Sequence, residues 1–191
     1  MFTNQRFDGW KLKPSTLAGL QELGWENATQ VQRDTVPIAL RGNDVIGQAR
    51  TGSGKTGAFG IPIIESCQPT GKLQALILAP TRELANQVSE EMTAIQGDSG
   101  LVIATVYGGT DIEKQARKLS DGVDIIVGTP GRVMDMTKRK FIDLSSPKIF
   151  CLDEADRMLD MGFFPDITWV IERMTGRQQT LLFSATFPQE I

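Results

Sequence analysis

Short, nearly continuous apolar runs separated by helix-like stretches constrain this chain more than any other feature. The runs are Asp44–Gly47, Ala75–Ala79, Val102–Val106, Val123–Val127 and Ile149–Leu152, with a further one at Thr180–Phe183. A strand with one wet face alternates apolar and polar residues, whereas a strand covered on both faces reads as an unbroken apolar run. Helical patterns fill the gaps, for example Arg82–Ile95 and Asp111–Leu119. This alternation predicts an α/β fold, a doubly wound, mainly parallel sheet flanked by helices. Ligands of such sheets sit in loops at the carboxyl ends of the strands, so functional motifs should follow the runs directly.

Two helices are predicted ahead of the first run. Pro14–Glu22 has proline at its start and stops before Gly24, and Thr29–Leu40 opens on a residue suited to capping. Lys138–Pro147 reads as a surface connection. A length of 191 residues suits one domain over 1–191, with a region 1–40 ahead of a core 41–191. Histidine is absent, which excludes histidine bases and histidine metal ligands. The two cysteines, Cys67 and Cys151, lie in no metal spacing and read as buried thiols of a reducing cytoplasm. The first ten residues do not resemble a signal peptide, and no apolar run approaches the ~20 residues that span a membrane. A net charge of −3 argues against gripping nucleic acid by bulk positive charge, so any such contact must use local donors.

The Asp44–Gly47 run leads into Ala49-Arg50-Thr51-Gly52-Ser53-Gly54-Lys55-Thr56 and then a helical stretch. Strand, glycine-rich turn and helix in this order form a phosphate-binding loop. Gly52 and Gly54 let backbone N–H groups approach phosphate oxygens, and the helix starting near Lys55 adds its positive dipole end. Lys55 is expected at the β- and γ-phosphates and Thr56 at Mg²⁺. The strict pattern begins with glycine, but here that position is Ala49. At another strand end, Ile149–Leu152 runs into Asp153-Glu154-Ala155-Asp156. Asp153 is placed to hold Mg²⁺, partly through water, and Glu154 to orient or deprotonate an attacking water. The expected catalytic residues are thus Lys55, Asp153 and Glu154, the metal ligands Thr56 and Asp153, and the chemistry that of an Mg²⁺-dependent nucleotide hydrolase.

No Asn-Lys-x-Asp guanine signature occurs in the chain, whereas the Gln32 carboxamide could read an adenine edge. Gly24-Trp25-Glu26-Asn27-Ala28-Thr29-Gln30-Val31-Gln32 resembles the Q motif of DEAD-box RNA helicases. That resemblance makes Gln32 the adenine reader, Thr29 a support of the phosphate loop and Phe7, the lone aromatic upstream, a stacking partner, with Trp25 beside them. Ala28 departs from it, since the family prefers proline there. Asp153 to Asp156 spell the family's name. Pro80-Thr81-Arg82-Glu83-Leu84-Ala85 resembles motif Ia, Gly108-Gly109 the glycine doublet, Thr129-Pro130-Gly131-Arg132 motif Ib and Ser184-Ala185-Thr186 motif III. The likeness covers essentially the whole chain in the family's order.

This resemblance implies the N-terminal RecA-like domain of an ATP-dependent RNA helicase. Expected nucleotide contacts are Phe7, Trp25, Thr29, Gln32, Arg50, Thr51, Gly52, Ser53, Gly54, Lys55 and Thr56, with ATP or ADP and Mg²⁺ as cofactors. Pro80, Thr81, Arg82, Gly108, Gly109, Thr129, Pro130, Gly131 and Arg132 are expected at the RNA backbone, since small residues at strand ends admit close approach and the arginines can pair with phosphates. Asp156, Ser184 and Thr186 are expected to couple the two sites. Ser184 and Thr186 could do so by hydrogen bonding to Asp156. The family continues into a second RecA-like domain whose arginines reach the γ-phosphate, and no counterpart is found here. The chain is therefore expected to hold adenine nucleotide with little turnover, since such an arginine is worth ~10³ to 10⁵ in rate. A monomeric, cytoplasmic, membrane-free protein that binds RNA without reading its sequence is expected. A nucleotide-gated RNA-binding module without hydrolysis, or a DNA helicase domain, stays open as an alternative.

Overall fold

The computed structural model describes every residue, Met1–Ile191. In chain order the elements are β1 (Phe2–Arg6), α1 (Pro14–Glu22), β2 (Asn27–Thr29), α2 (Gln30–Leu40), β3 (Val45–Gln48), α3 (Lys55–Ser66), β4 (Ala75–Leu78), α4 (Arg82–Ile95), β5 (Ile103–Val106), α5 (Ile112–Ser120), β6 (Ile125–Gly128), α6 (Pro130–Lys138), β7 (Ile149–Asp153), α7 (Ala155–Asp160), α8 (Phe164–Arg173) and β8 (Gln179–Ser184). Strands β3 to β8 form one six-stranded sheet in the order β3-β8-β7-β4-β6-β5, parallel throughout. The doubly wound, helix-flanked sheet expected from the apolar runs is present, with strand ends shifted by one or two residues.

Alternate residues of the central strands feed two separate cores, which is why their sequences show no polar face. Ala75 and Ile77 of β4 pack with α1 to α4, including Leu20, Val36, Phe59 and Met92. Leu76 and Leu78 pack on the other side with Val133 and Met136 of α6, Met158 of α7 and Val170 of α8. Both cysteines are buried thiols. Burial pushes Cys67 up to about 12 and Cys151 well above the usual thiol range.

Two features differ from the sequence expectation. The polar N-terminus forms β1, which pairs antiparallel with β2 in a small separate sheet. Thr3 Oγ1 donates to the Ala28 carbonyl at 2.8 Å, and Asn27 Nδ2 donates to the Thr3 carbonyl at 2.8 Å. The proline expected by resemblance at Ala28 is thus replaced by a fully buried residue in a paired strand. The Lys138–Pro147 connection is not wholly on the surface: Ile142 and Leu144 are buried in the second core.

The parallel arrangement puts every strand's carboxyl end on one edge, and the strand order divides that edge in two. The ends of β3, β8 and β7 are neighbours, with Gln48 opposite Ser184 and Asp153 opposite Phe183. The ends of β4, β6 and β5 form the other half, with Leu78 and Val106 both opposite Gly128.

Candidate functional site

Beyond β3 the chain turns through the glycine-rich loop. Ala49 N donates to the Ser184 carbonyl at 3.0 Å, so Ala49 continues the sheet ladder and is buried, where alanine serves as well as glycine. Gly52 and Gly54 have φ of 83° and 87°, the left-handed region that glycine enters without strain. The amides of Gly52, Gly54, Lys55 and Thr56 donate to no group in the chain. Four such donors in the turn and first residues of a 12-residue helix have the chemistry to receive an anion.

These donors open into a cavity of about 320 Å³. It brings together Phe7, Trp25, Thr29, Gln32, Thr51, Gly52, Gly54, Lys55, Thr56, Asp153 and Glu154 from the expected set. Arg50 and Ser53 do not line it and face the opposite side of the loop. The physical reason lies in the turn itself, where the Ser53 hydroxyl donates to the Arg50 carbonyl at 2.5 Å and the Ser53 amide to the same oxygen at 3.2 Å. Sequence reasoning missed Phe2, Asn27, Leu84, Gln87, Val88 and Glu91, which also line the cavity. The spacing of Leu84, Gln87, Val88 and Glu91 along one face of α4 was the available signal.

The Q-motif segment is strapped to the loop. Thr29 and Gln32 form a reciprocal capping box at the start of α2. Gln32 Oε1 accepts from Thr29 N at 2.9 Å, and Gln32 Nε2 donates to the Gly54 carbonyl at 3.0 Å. Each end of the carboxamide keeps one free bonding position, so one donor and one acceptor remain for a ligand. Phe7 is only 3% exposed. It stacks on Trp25 at a centroid distance of 6.1 Å and meets Trp10 edge-on at 5.6 Å.

Lys55 lies 3.2 Å from Asp153 Oδ1 and 3.4 Å from Glu154 Oε2, yet those two buried oxygens accept no hydrogen bond of sound geometry. Both carboxylates line the cavity and form ion pairs with the same ammonium. Burial pushes Asp153 up to about 6, against the opposing pull of Lys55. Glu154 adopts φ 57° and ψ 52°, a left-handed conformation costly for a residue with a Cβ and frequent where a site must hold a side chain in place. Burial also raises Glu91, although a hydrogen bond with the Thr56 hydroxyl works in the other direction.

Ser184 and Thr186, just beyond this cavity, both bond to Asp156. The Asp156 amide donates to Ser184 Oγ at 3.0 Å, and Thr186 Oγ1 donates to Asp156 Oδ2 at 2.9 Å. Burial disfavours the charged carboxylate, but hydrogen bonds from Thr186, Ser184 and the Arg157 amide together hold Asp156 below the usual range.

On the other half of the edge, Thr81 caps α4 by accepting from Leu84 N at 3.2 Å. Gly108, Gly109 and Gly131 have nothing within 4 Å of where a Cβ would stand. Pro80 and Pro130 are buried and shape the starts of α4 and α6. Both arginines, expected at RNA phosphates, have partners within the chain. The Arg82 guanidinium lies 4.7 Å from the Tyr107 ring centre. Arg132 spends two donors within the chain, on Gln115 Oε1 at 3.0 Å and the Thr110 carbonyl at 3.1 Å.

The family model described as DEAD/DEAH box helicase matches residues 29–191. The chain is 47% identical over 187 residues to the DEAD-box ATP-dependent RNA helicase CshA of Streptococcus pneumoniae, covering 97% of this chain and 36% of that protein. It is 48% identical over 172 residues to the RNA helicase CrhR of Synechocystis, covering 90% of this chain and 35% of the relative. The chain thus spans a little over a third of the length of these curated relatives. Among solved structures, a DEAD box protein from Methanococcus jannaschii superposes with a TM-score of 0.93 at 41% identity, over 97% of this chain and 51% of that one.

Proposed function

The chain belongs to the DEAD/DEAH box helicase family, and from that premise we propose that it is the ATP-binding part of an RNA-dependent ATPase that unwinds or remodels RNA duplexes. The observation that carries this reading is the cavity wall: four unpartnered loop amides beside Lys55, facing two buried carboxylate oxygens without hydrogen bonds. That donor set fits a nucleotide phosphate chain with its divalent cation. Thr56 and Asp153 would hold Mg²⁺, which when bound neutralises phosphate charge.

The residues then have separable tasks. The loop amides and the dipole of α3 hold the β- and γ-phosphates. Lys55 leaves its carboxylate partners and turns onto the phosphate oxygens. Glu154, held in its left-handed conformation, takes the proton of the attacking water or orients it. Phe7 and Trp25 offer an aromatic wall for the base, and Gln32 its remaining donor and acceptor for the adenine edge.

The open strand ends support RNA as the second ligand. Gly108 and Gly131 have ordinary φ values and no neighbour that a side chain would strike, so folding does not require glycine there. A ligand backbone approaching those amides does require it. Lys55 is the only cation lining the nucleotide cavity, and family-like turnover needs a further one. The chain by itself should therefore hydrolyse ATP slowly, and the fast reaction belongs to the whole protein with its second RecA-like domain. No helix is long and apolar enough to cross a membrane.

The test is ATP hydrolysis by the whole protein with RNA or DNA of one sequence. RNA should stimulate it strongly and DNA weakly. Equal stimulation would favour a DNA-directed helicase, and no hydrolysis with either would favour a nucleotide-gated binding module.

A further inference from the structure

Gln115 is a polar residue of α5 whose carboxamide makes three hydrogen bonds. Its Nε2 donates to the Tyr107 carbonyl at 3.1 Å and to Thr110 Oγ1 at 2.6 Å, while its Oε1 accepts from the Arg132 guanidinium at 3.0 Å. Arg132 closes the ring by donating to the Thr110 carbonyl at 3.1 Å. Three segments meet at one side chain: the glycine loop after β5, the first turn of α5 and the first turn of α6.

The Tyr107–Thr110 loop is held at its ends, by the Tyr107 ring beside Arg82 and by Ile112 of α5 against the second core, but its glycine turn packs on nothing. Gly108 and Gly109 are exposed, without packing neighbours at the Cβ position, and α5 buries no residue completely. Without Gln115 the Arg132 guanidinium would lose its side-chain acceptor, and within the loop only the long 3.4 Å bond from the Thr110 hydroxyl to the Tyr107 carbonyl would remain. A loop free to sample other conformations must be ordered again at each binding event, at a cost in affinity.

We propose that Gln115 is a positioning residue for RNA: it holds the Tyr107–Thr110 loop in register with Arg132, so that both present one preformed surface to a phosphate backbone. This rests on the reading of that edge as the RNA face. It assigns Gln115 no contact with RNA and no part in nucleotide binding.

The experiment measures binding of a fluorescent single-stranded oligouridine by anisotropy, with ADP affinity and melting temperature recorded for each variant. Gln115→Ala should weaken oligouridine binding about five- to tenfold, the loss expected when about one hydrogen bond's worth of ordering is removed. ADP affinity should be unchanged. Gln115→Glu should recover little of the loss, because a carboxylate cannot donate to the Tyr107 carbonyl and adds negative charge beside the phosphate backbone. Gln115→Ala within twofold of wild type, while Arg132→Ala binds oligouridine weakly, would overturn the proposal and leave the RNA face standing. Normal binding by Arg132→Ala as well would overturn both. A lowered melting temperature with intact RNA affinity would make Gln115 a stability residue only, which also overturns it.

Discussion

At Gly54 the backbone has φ 87°, and a Cβ there would lie 2.7 Å from Thr29 Oγ1 and 2.8 Å from Gln32 Nε2. Any side chain would both strain the turn and push the Q-motif strap off the loop. Gly54→Ala should lower ADP affinity at least about tenfold. Gly131, with open space around it, should accept alanine with stability within about half a kcal/mol of wild type. Titration and thermal melting check the pair, and equal behaviour would contradict the strap. Asp153 gives a pH signature. Its carboxyl is raised to about 6 by burial, so the native state binds the proton more tightly than the unfolded chain. The stabilisation this gives is complete below about pH 4 and is lost as pH rises through 6. Metal-free chain should therefore melt progressively lower between those values, and Asp153→Asn should flatten that slope. An unchanged slope in the variant would mean another group carries it.

Elements are held in place partly by polar residues that no local pattern announces. Asp124 is 1% exposed. Its Oδ1 accepts from the Thr70 and Gly71 amides and from Gln74 Nε2, and its Oδ2 accepts from the Val102 amide at 2.8 Å. One carboxylate ties the entries of β4 and β5 to the start of β6. Asp124→Ala strands those donors and should cost about 2–4 kcal/mol, read by denaturant unfolding; a loss under 1 kcal/mol would mean water replaces the carboxylate. The contact of α1 with α4 depends on Gly19, where a Cβ would stand 2.3 Å from the Ile95 carbonyl oxygen. Both facts were illegible in the sequence, because they depend on which distant segments meet. The long apolar strands and the amphipathic α4 were legible, since burial on two faces or on one writes a local period. β1 escaped because a polar strand at the margin has no apolar period, and Ile142 and Leu144 because two buried side chains in a charged loop do not amount to one.

Across the whole molecule, sheet order separates the two proposed anion sites of a chain with a net charge of −3. Phosphate donors on β3 and carboxylates on β7 flank β8, while the glycine-lined ends of β5 and β6 lie beyond β4. Asp156 with Ser184 and Thr186 stands where β7 and β8 leave the sheet, and α4 runs from the second half of the edge, with Thr81 and Arg82, into the cavity wall at Glu91. The glycine loop, the acidic strand end and the Q motif were readable because their chemistry is contiguous in sequence. Gln115, which joins the Tyr107–Thr110 loop to Arg132 of α6 from a third element, was not. The proposed adenine nucleotide site under the Q motif is built on Lys55. Calorimetric titration of the chain with ADP and GDP in the presence of Mg²⁺, repeated with Lys55→Ala, decides it. ADP should bind at least about tenfold more tightly than GDP, and Lys55→Ala should lose most of that affinity. Equal affinities for the two nucleotides, or undiminished ADP binding by Lys55→Ala, would contradict it.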